Sequence, residues 1–238
     1  MRNAAIVLAA GSGSRMKSSV KKQYLLLDGK PVLWYSLDAF EQCPRIDEVV
    51  LVCGEQERDW CRTEIVERYG FTKISHIVAG GKERYHSVYE GLKALTDCDY
   101  VLIHDGARPF ADRELLNRIL DDLPQSRASV AAVPVKDTIK LGGGDGYVER
   151  TLPRERLWSV QTPQSFAYPL IRGAYDAVMR EKPSGLMITD DAMVAEYAGI
   201  PVKLIEGSYD NIKLTTPADL YLAEEILRKR AAEKIKKL

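Results

Sequence analysis

The chain has 238 residues, 45% of them hydrophobic, enough for one large α/β domain, or one and a half smaller ones, with a core that needs no cross-links. Lys plus Arg and Asp plus Glu each total 34, so the formal net charge is zero; no global field suits nucleic acid or an anionic membrane, and any cationic site is local. The 4 cysteines, Cys43, Cys53, Cys61 and Cys98, show neither CxxC spacing nor a Cys/His cluster, which excludes an obvious zinc site and points to a reduced, cytoplasmic compartment.

An apolar strand is predicted near 4–9, with no basic segment and long apolar run ahead of it of the kind that directs secretion. No run elsewhere is long enough to span a bilayer, so a soluble protein is expected. The strand leads into Gly11-Ser12-Gly13-Ser14-Arg15-Met16-Lys17 and then Lys21-Lys22-Gln23-Tyr24. Glycines let the backbone turn its N–H groups toward an oxyanion, and the following cations neutralise what remains of a polyphosphate's charge. Two familiar glycine motifs do not fit. A dinucleotide fold needs a third glycine where Met16 stands, and a Walker loop needs GxxxxGK[ST].

Apolar runs then alternate with helical periodicity: helix 31–42 with Pro31 at its first turn, strand 48–53, helix 56–69, strand 74–78, helix 83–95, strand 99–104, helix 112–123 capped by Asp112, and strand 129–133. Such alternation predicts parallel strands joined by crossover helices. After Pro134 the rhythm breaks. Residues 135–141 and 146–152 flank the turn Gly142-Gly143-Gly144-Asp145, the pattern of a hairpin, either a dimerisation arm or an ordinary surface hairpin. The chain reads as a single domain over 1–238 with 135–155 as a projecting subdomain. A helix at 168–181, a shorter one at 190–198, a strand at 201–206 and a helix from Pro217 to about Lys236 follow, the last with a basic end that reads as a solvated face.

Three further clusters carry chemistry. His104-Asp105-Gly106-Ala107-Arg108-Pro109 ends a strand, where ligands of open α/β sheets gather; Asp105 and Arg108 there either bind substrate or pair with each other to buttress the loop. Gly80-Gly81-Lys82-Glu83-Arg84-Tyr85-His86-Ser87 also follows a strand and offers backbone groups and a hydroxyl near a helix N-terminus. Arg154, Thr162-Pro163-Gln164, Thr189-Asp190-Asp191 and Asp210-Asn211-Ile212-Lys213 are small polar and cationic groups read as loops or element ends, suited to a phosphorylated second substrate or to ordinary caps. The histidines, His76, His86 and His104, are too scattered for a metal triad, and GxSxG is absent, so the residue types point to phosphoryl rather than acyl chemistry.

Taken in order, Ala9-Ala10-Gly11-x-Gly13-x-Arg15-Met16, Lys22-Gln23-Tyr24, Gly80-Gly81-x-x-Arg84-x-x-Ser87-Val88, His104-Asp105-Gly106-Ala107-Arg108-Pro109, Thr162-Pro163-Gln164 and Asp210-Asn211-Ile212-Lys213 closely resemble the 2-C-methyl-D-erythritol 4-phosphate cytidylyltransferase family. The resemblance implies a Rossmann-like nucleotidyltransferase α/β fold, a mostly parallel twisted sheet flanked by helices, with a protruding β-hairpin arm that pairs two subunits as a homodimer. It implies transfer of CMP from CTP to methylerythritol phosphate with Mg²⁺ and release of pyrophosphate. By the same likeness Arg15 and Lys22 stabilise the transition state, and Arg154 and Lys213 orient the acceptor phosphate. Ala9, Ala10, Gly11, Gly13, Gly80, Gly81 and Ser87 would hold the cytidine nucleotide, with Asp105 and Ala107 near the ribose. Asp105, Arg108, Thr162 and Thr189 would line the acceptor pocket, and Thr138 and Arg154 would reach the partner subunit's site. Lys21 stands where the family commonly has proline, and Tyr85-His86 replaces a more usual Gln-acid pair. Ribitol-5-phosphate cytidylyltransferases share the GxGxRM loop and the lysine, and a non-catalytic nucleotide-binding protein would use the same fold; retention of both Arg15 and Lys22 argues against the latter.

Overall fold

The computed structural model describes residues 1–11, 20–181 and 187–236. Its spine is a seven-stranded sheet. Strands β1 (Asn3–Leu8), β4 (Glu48–Cys53), β5 (Ile74–Ala79) and β6 (Tyr100–Asp105) run parallel, and β7 (Ala128–Pro134), β10 (Trp158–Ala167) and β11 (Lys203–Glu206) complete it in the order β11-β7-β10-β6-β1-β4-β5. β1 and β4 read as nearly continuous apolar runs because helices cover both faces.

The pleat divides the strand side chains between two cores. Ala5, Val7, Leu51 and Leu102 face α1 (Val32–Glu41), α2 (Arg58–Trp60, continuing as a π-helix over Cys61–Glu67) and α4 (Arg113–Ser126), where Leu37, Phe40, Ile65, Leu116 and Ile119 are buried. Ala4, Ile6, Val50 and Val101 face α3 (Arg84–Ala94), α5 (Tyr168–Glu181) and α6 (Asp191–Tyr197), where Leu92, Tyr175 and Val194 are buried. A smaller cluster of Leu27, Phe110, Leu214 and Ile226 docks α7 (Pro217–Lys236) beside the carboxyl ends of the strands. Among the described residues no helix is long and apolar enough to cross a membrane.

The helices follow their sequence signals closely. Asp112 caps α4 by accepting from the Leu115 N–H at 2.8 Å, as expected. That helix runs past the expected end at 123 and carries Pro124 in its last turn, since a proline there removes one N–H without ending the helix. A small hairpin, β2 (Leu26–Leu27) and β3 (Lys30–Pro31), was not anticipated, although Asp28-Gly29, with φ of 48° and 75°, is a type I′ turn pair.

The larger correction concerns β10. Thr162-Pro163-Gln164 is expected in a loop or at an element end; it lies in the middle of a ten-residue strand that runs antiparallel between β6 and β7. The register shifts between Val160 and Gln164, and Pro163, whose peptide bond to Thr162 is cis, sits in that irregularity, where a missing N–H breaks no ladder bond. The sheet is therefore mixed. The 135–155 hairpin is real but its ladder is shorter than expected: β8 (Lys140–Gly142) pairs antiparallel with β9 (Val148–Thr151) in a separate two-stranded sheet whose residues are all exposed. It continues the antiparallel β7–β10 pair outward, with the Val135 N–H donating to the Leu157 carbonyl at 3.0 Å.

Candidate active site

A cleft of about 380 Å³ opens at the carboxyl ends of β1 and β6, the place where open α/β sheets receive ligands. One wall is the turn after β1, Ala9-Ala10-Gly11; the opposite wall is Gly81 with the first turn of α3; Lys22 and Lys213 both line the space, with Asp105 and Ala107 at its base.

The glycine turn is held from beneath. Gln23, only 2% exposed, donates through Nε2 to the carbonyls of Ala9 at 2.5 Å and Gly11 at 3.0 Å. Two oxygens that would repel an anion are thereby occupied. Across the cleft the Gly81 N–H donates to Ser87 Oγ at 3.1 Å, and Ser87 donates to the Glu83 carbonyl at 3.2 Å. A Cβ at Gly80 would collide with the Ala10 Cβ of the opposite wall and come within 2.8 Å of Ser87 Oγ, so the two walls approach only because that residue is glycine.

Asp105 is the electrostatic hub. Lys213 Nζ donates to its Oδ2 at 2.6 Å and Arg84 Nε to its Oδ1 at 3.2 Å. Burial opposes its charge, but Arg84 and Lys213 override that and hold the carboxyl well below the usual carboxylate range. Arg84 also makes a bidentate bond to Asp191, at 3.0 and 2.8 Å, and Tyr175 donates to the same carboxylate at 2.6 Å. The Arg84 guanidinium is accordingly lifted above its ordinary range by Asp191 and Asp105 despite burial. Asp105 and Arg108 were expected either to meet substrate or to pair with each other. No ion pair between them exists among the described residues; Arg108, largely buried and lowered by that burial, donates to the Asn211 carbonyl at 2.8 Å.

Beneath Asp105 runs a second chain of bonds. Its N–H donates to Thr162 Oγ1 at 3.1 Å, and Thr162 lies 3.0 Å from His104 Nδ1, while His104 Nε2 lies 3.0 Å from the Arg108 carbonyl. A carbonyl only accepts, so Nε2 carries the proton and Nδ1 accepts from Thr162. Burial pushes His104 down to about 4, in keeping with a neutral ring. Asn211 Nδ2 donates to the Thr162 carbonyl at 2.9 Å and the Leu214 N–H to the Ala107 carbonyl at 2.9 Å. Three motifs far apart in sequence thus form one cross-linked floor.

Of the expected site residues, Ala9, Ala10, Gly11, Lys22, Gly81, Ser87, Asp105, Ala107 and Lys213 line the cleft, and Gly80 backs it. Thr162 and Arg108 lie behind Asp105 as supports. Thr189 is exposed before α6, its hydroxyl 3.9 Å from Met193 Sδ. Thr138 is exposed on the arm, and Arg154, just after it, donates to the Lys136 carbonyl at 2.8 Å; neither lines the cleft of its own chain. Gly13 and Arg15 fall outside the described residues. Gln23, Arg84 and Asp191 stand inside the candidate motifs, but the sequence assigned none of them an individual role in the site. Arg84 carried a signal, because a cation in the first turn of a helix opposes the helix dipole and calls for a carboxylate partner.

Fold and site define a nucleotidyltransferase-class α/β protein, with a polyphosphate-sized cleft between a glycine turn and a pair of lysines. A profile of the 2-C-methyl-D-erythritol 4-phosphate cytidylyltransferase family matches residues 3–229, and the chain belongs to that family. It is 48% identical over 225 residues to the protein of that name from Lachnoclostridium phytofermentans, covering 94% of this chain and 95% of the other. It is 45% identical over 231 residues to the one from Clostridium acetobutylicum, covering 97% and 100%. Among solved structures, the 4-diphosphocytidyl-2C-methyl-D-erythritol synthase of Anaerococcus prevotii superposes with a TM-score of 0.83 at 36% identity, covering 95% of this chain and 96% of that one.

Proposed function

We propose that the protein transfers CMP from CTP to 2-C-methyl-D-erythritol 4-phosphate, releasing pyrophosphate and forming 4-diphosphocytidyl-2-C-methyl-D-erythritol for non-mevalonate isoprenoid synthesis. The observation that carries this reading is that Lys22 and Lys213, from opposite ends of the chain, line one cleft with the backbone of Gly11 and Gly81. In-line attack of a phosphate monoester on the α-phosphorus brings two anions together, so catalysis consists mainly of positioning and charge neutralisation. Lys22 serves the nucleotide's phosphates; Lys213, steadied by Asp105, serves the acceptor. The monoester is already largely ionised at neutral pH and needs no strong general base, in keeping with a His104 that is buried, neutral and fully hydrogen-bonded.

Among the described residues no group of three or more His, Cys, Asp or Glu is arranged to hold a metal. Mg²⁺ enters the proposal with the triphosphate, whose oxygens supply most of its ligands, and Asp105 is the buried carboxylate at the cleft base that would face it. We further propose a homodimer in which the 135–155 arm carries Thr138 and Arg154 to the partner's cleft, in a cytoplasmic setting that suits four buried free thiols. Pyrophosphate release from CTP and Mg²⁺ is expected with methylerythritol phosphate and at background with ribitol 5-phosphate. Release with the second acceptor alone would reassign the substrate, and release with neither would remove the activity.

A further inference from the structure

Lys22 occupies a single 3₁₀ turn, Lys22–Tyr24, too short to hold its own conformation. Its backbone is closed by Tyr24 N–H donating to the Lys21 carbonyl at 2.9 Å and Leu25 N–H to the Lys22 carbonyl at 3.4 Å. Besides Gln23, which bonds the Ala9 and Gly11 carbonyls, this turn is gripped from outside by Glu57, at the head of the helix that follows β4. Its carboxylate pairs with Lys21 Nζ, accepts from Tyr24 Oη at 3.0 Å and accepts from the Gly54 N–H at 3.2 Å. Lys21 precedes Lys22 and Tyr24 is two residues beyond it, so one carboxylate holds both flanks. Gly54 ties that carboxylate to the end of β4 in a capping-box arrangement, and a Cβ there would lie 2.8 Å from Glu57 Oε2, so glycine leaves the carboxylate room to fold back. Tyr24 is further fixed by an edge contact with Trp60, ring centroids 4.7 Å apart.

We propose that Glu57 is a positioning residue for Lys22, fixing the turn that presents its ammonium group to the cleft. The kinetic part rests on the proposed role of Lys22 toward the nucleotide; the structural part does not. Lys21 has φ −62° and ψ 141°, the backbone a proline adopts without strain. A proline at 21 would therefore supply covalently, and without charge, the rigidity that the Glu57 ion pair supplies.

The test is amide hydrogen exchange at Tyr24 together with steady-state kinetics. Glu57→Gln is expected to speed exchange about tenfold, as the loss of a charge-assisted anchor implies. It should also lower kcat about tenfold or more with little change in the KM for CTP, the effect of a misplaced catalytic group. Lys21→Met, deleting the ion pair from its other end, is expected to reproduce the faster exchange. Adding Lys21→Pro to Glu57→Gln is expected to restore both slow exchange and kcat, a rescue that a purely stabilising role for Glu57 would not produce. Unchanged exchange in Glu57→Gln, or a double variant that exchanges as fast as the single one, would overturn the proposal. Lys22→Ala is the separate control: full kcat in that variant would remove the role assigned to Lys22, while exchange at Tyr24 still decides whether Glu57 holds the turn.

Discussion

Lys213 and Arg84 divide one carboxylate between them, and the division sets what each substitution does. In Lys213→Ala, Asp105 keeps Arg84, which is itself shared with Asp191, so the floor survives while the cleft loses the cation proposed to serve the acceptor. The KM for the acceptor is expected to rise about tenfold or more, the loss of one charge-assisted contact, with a smaller change in the KM for CTP. Equal rises in both constants would place Lys213 on the nucleotide instead. His104 makes a pH prediction. Its folded value of about 4 lies below the ordinary histidine value, so between the two the unfolded chain takes up a proton that the folded chain refuses. Its contribution is fully present above about pH 6.5 and is lost as the pH falls toward 4, by about 3 kcal/mol in all. Urea unfolding at pH 7.5 and 5.0 should show a shallower decline in His104→Gln than in the parent; parallel declines would contradict the assignment.

At the level of elements, the site is a set of joints between helices and strands. Gln164, in mid-β10, accepts from the N–H groups of Asp191 at 2.8 Å and Ala192 at 2.9 Å and donates to Asp190 at 2.9 Å, so a strand side chain caps α6. Asp190 itself accepts from the Met193 N–H at 3.0 Å. Asp191 then holds Arg84 on α3, and the α3 wall of the cleft is braced through α6 to the sheet. Gln164→Ala strands two buried donors and is expected to lower unfolding free energy by about 2 kcal/mol or more; a change below about 0.5 kcal/mol in urea titration would show that solvent replaces the side chain. This joint was hidden in the sequence. Thr162-Pro163-Gln164 has a proline and two polar residues, the signature of a loop, and becomes a strand because β6 and β7 offer it ladders on both sides.

For the molecule as a whole, the antiparallel insertion of β10 has a consequence beyond the sheet. β7 and β10 leave the sheet together and continue as the β8–β9 ribbon, which presents Leu141, Tyr147 and Val148 to solvent, with Trp158 and Val160 exposed at its base. These exposed apolar side chains, set among Lys140, Glu149, Arg150 and Thr151, would supply the contact surface of the homodimer proposed above. If the proposed homodimer forms through this ribbon, Leu141→Asp combined with Tyr147→Asp is expected to shift sedimentation from dimer to monomer. If sites are shared, mixing inactive Lys22→Ala and Arg154→Ala homodimers and letting subunits exchange should recover about a quarter of full activity, since each mixed twofold dimer rebuilds one intact site. No recovery after confirmed exchange would confine each site to one chain.

Much of this architecture is written locally. Alternating apolar runs and helical periods place β1, β4, β5, β6 and their helices almost to the residue, because burial on both faces imposes an apolar composition on the inner strands. The glycine turns and the lysines that line the cleft are equally visible, since each sits at a strand end or helix start marked by its neighbours. Which charge meets which is another matter. Asp105 lies 108 residues from Lys213, Arg84 lies 107 from Asp191, and Glu57 reaches back 36 positions to Lys21. Those partnerships depend on strand order and chain crossing, which bring distant residues within a few ångströms, and no spacing along the chain encodes them.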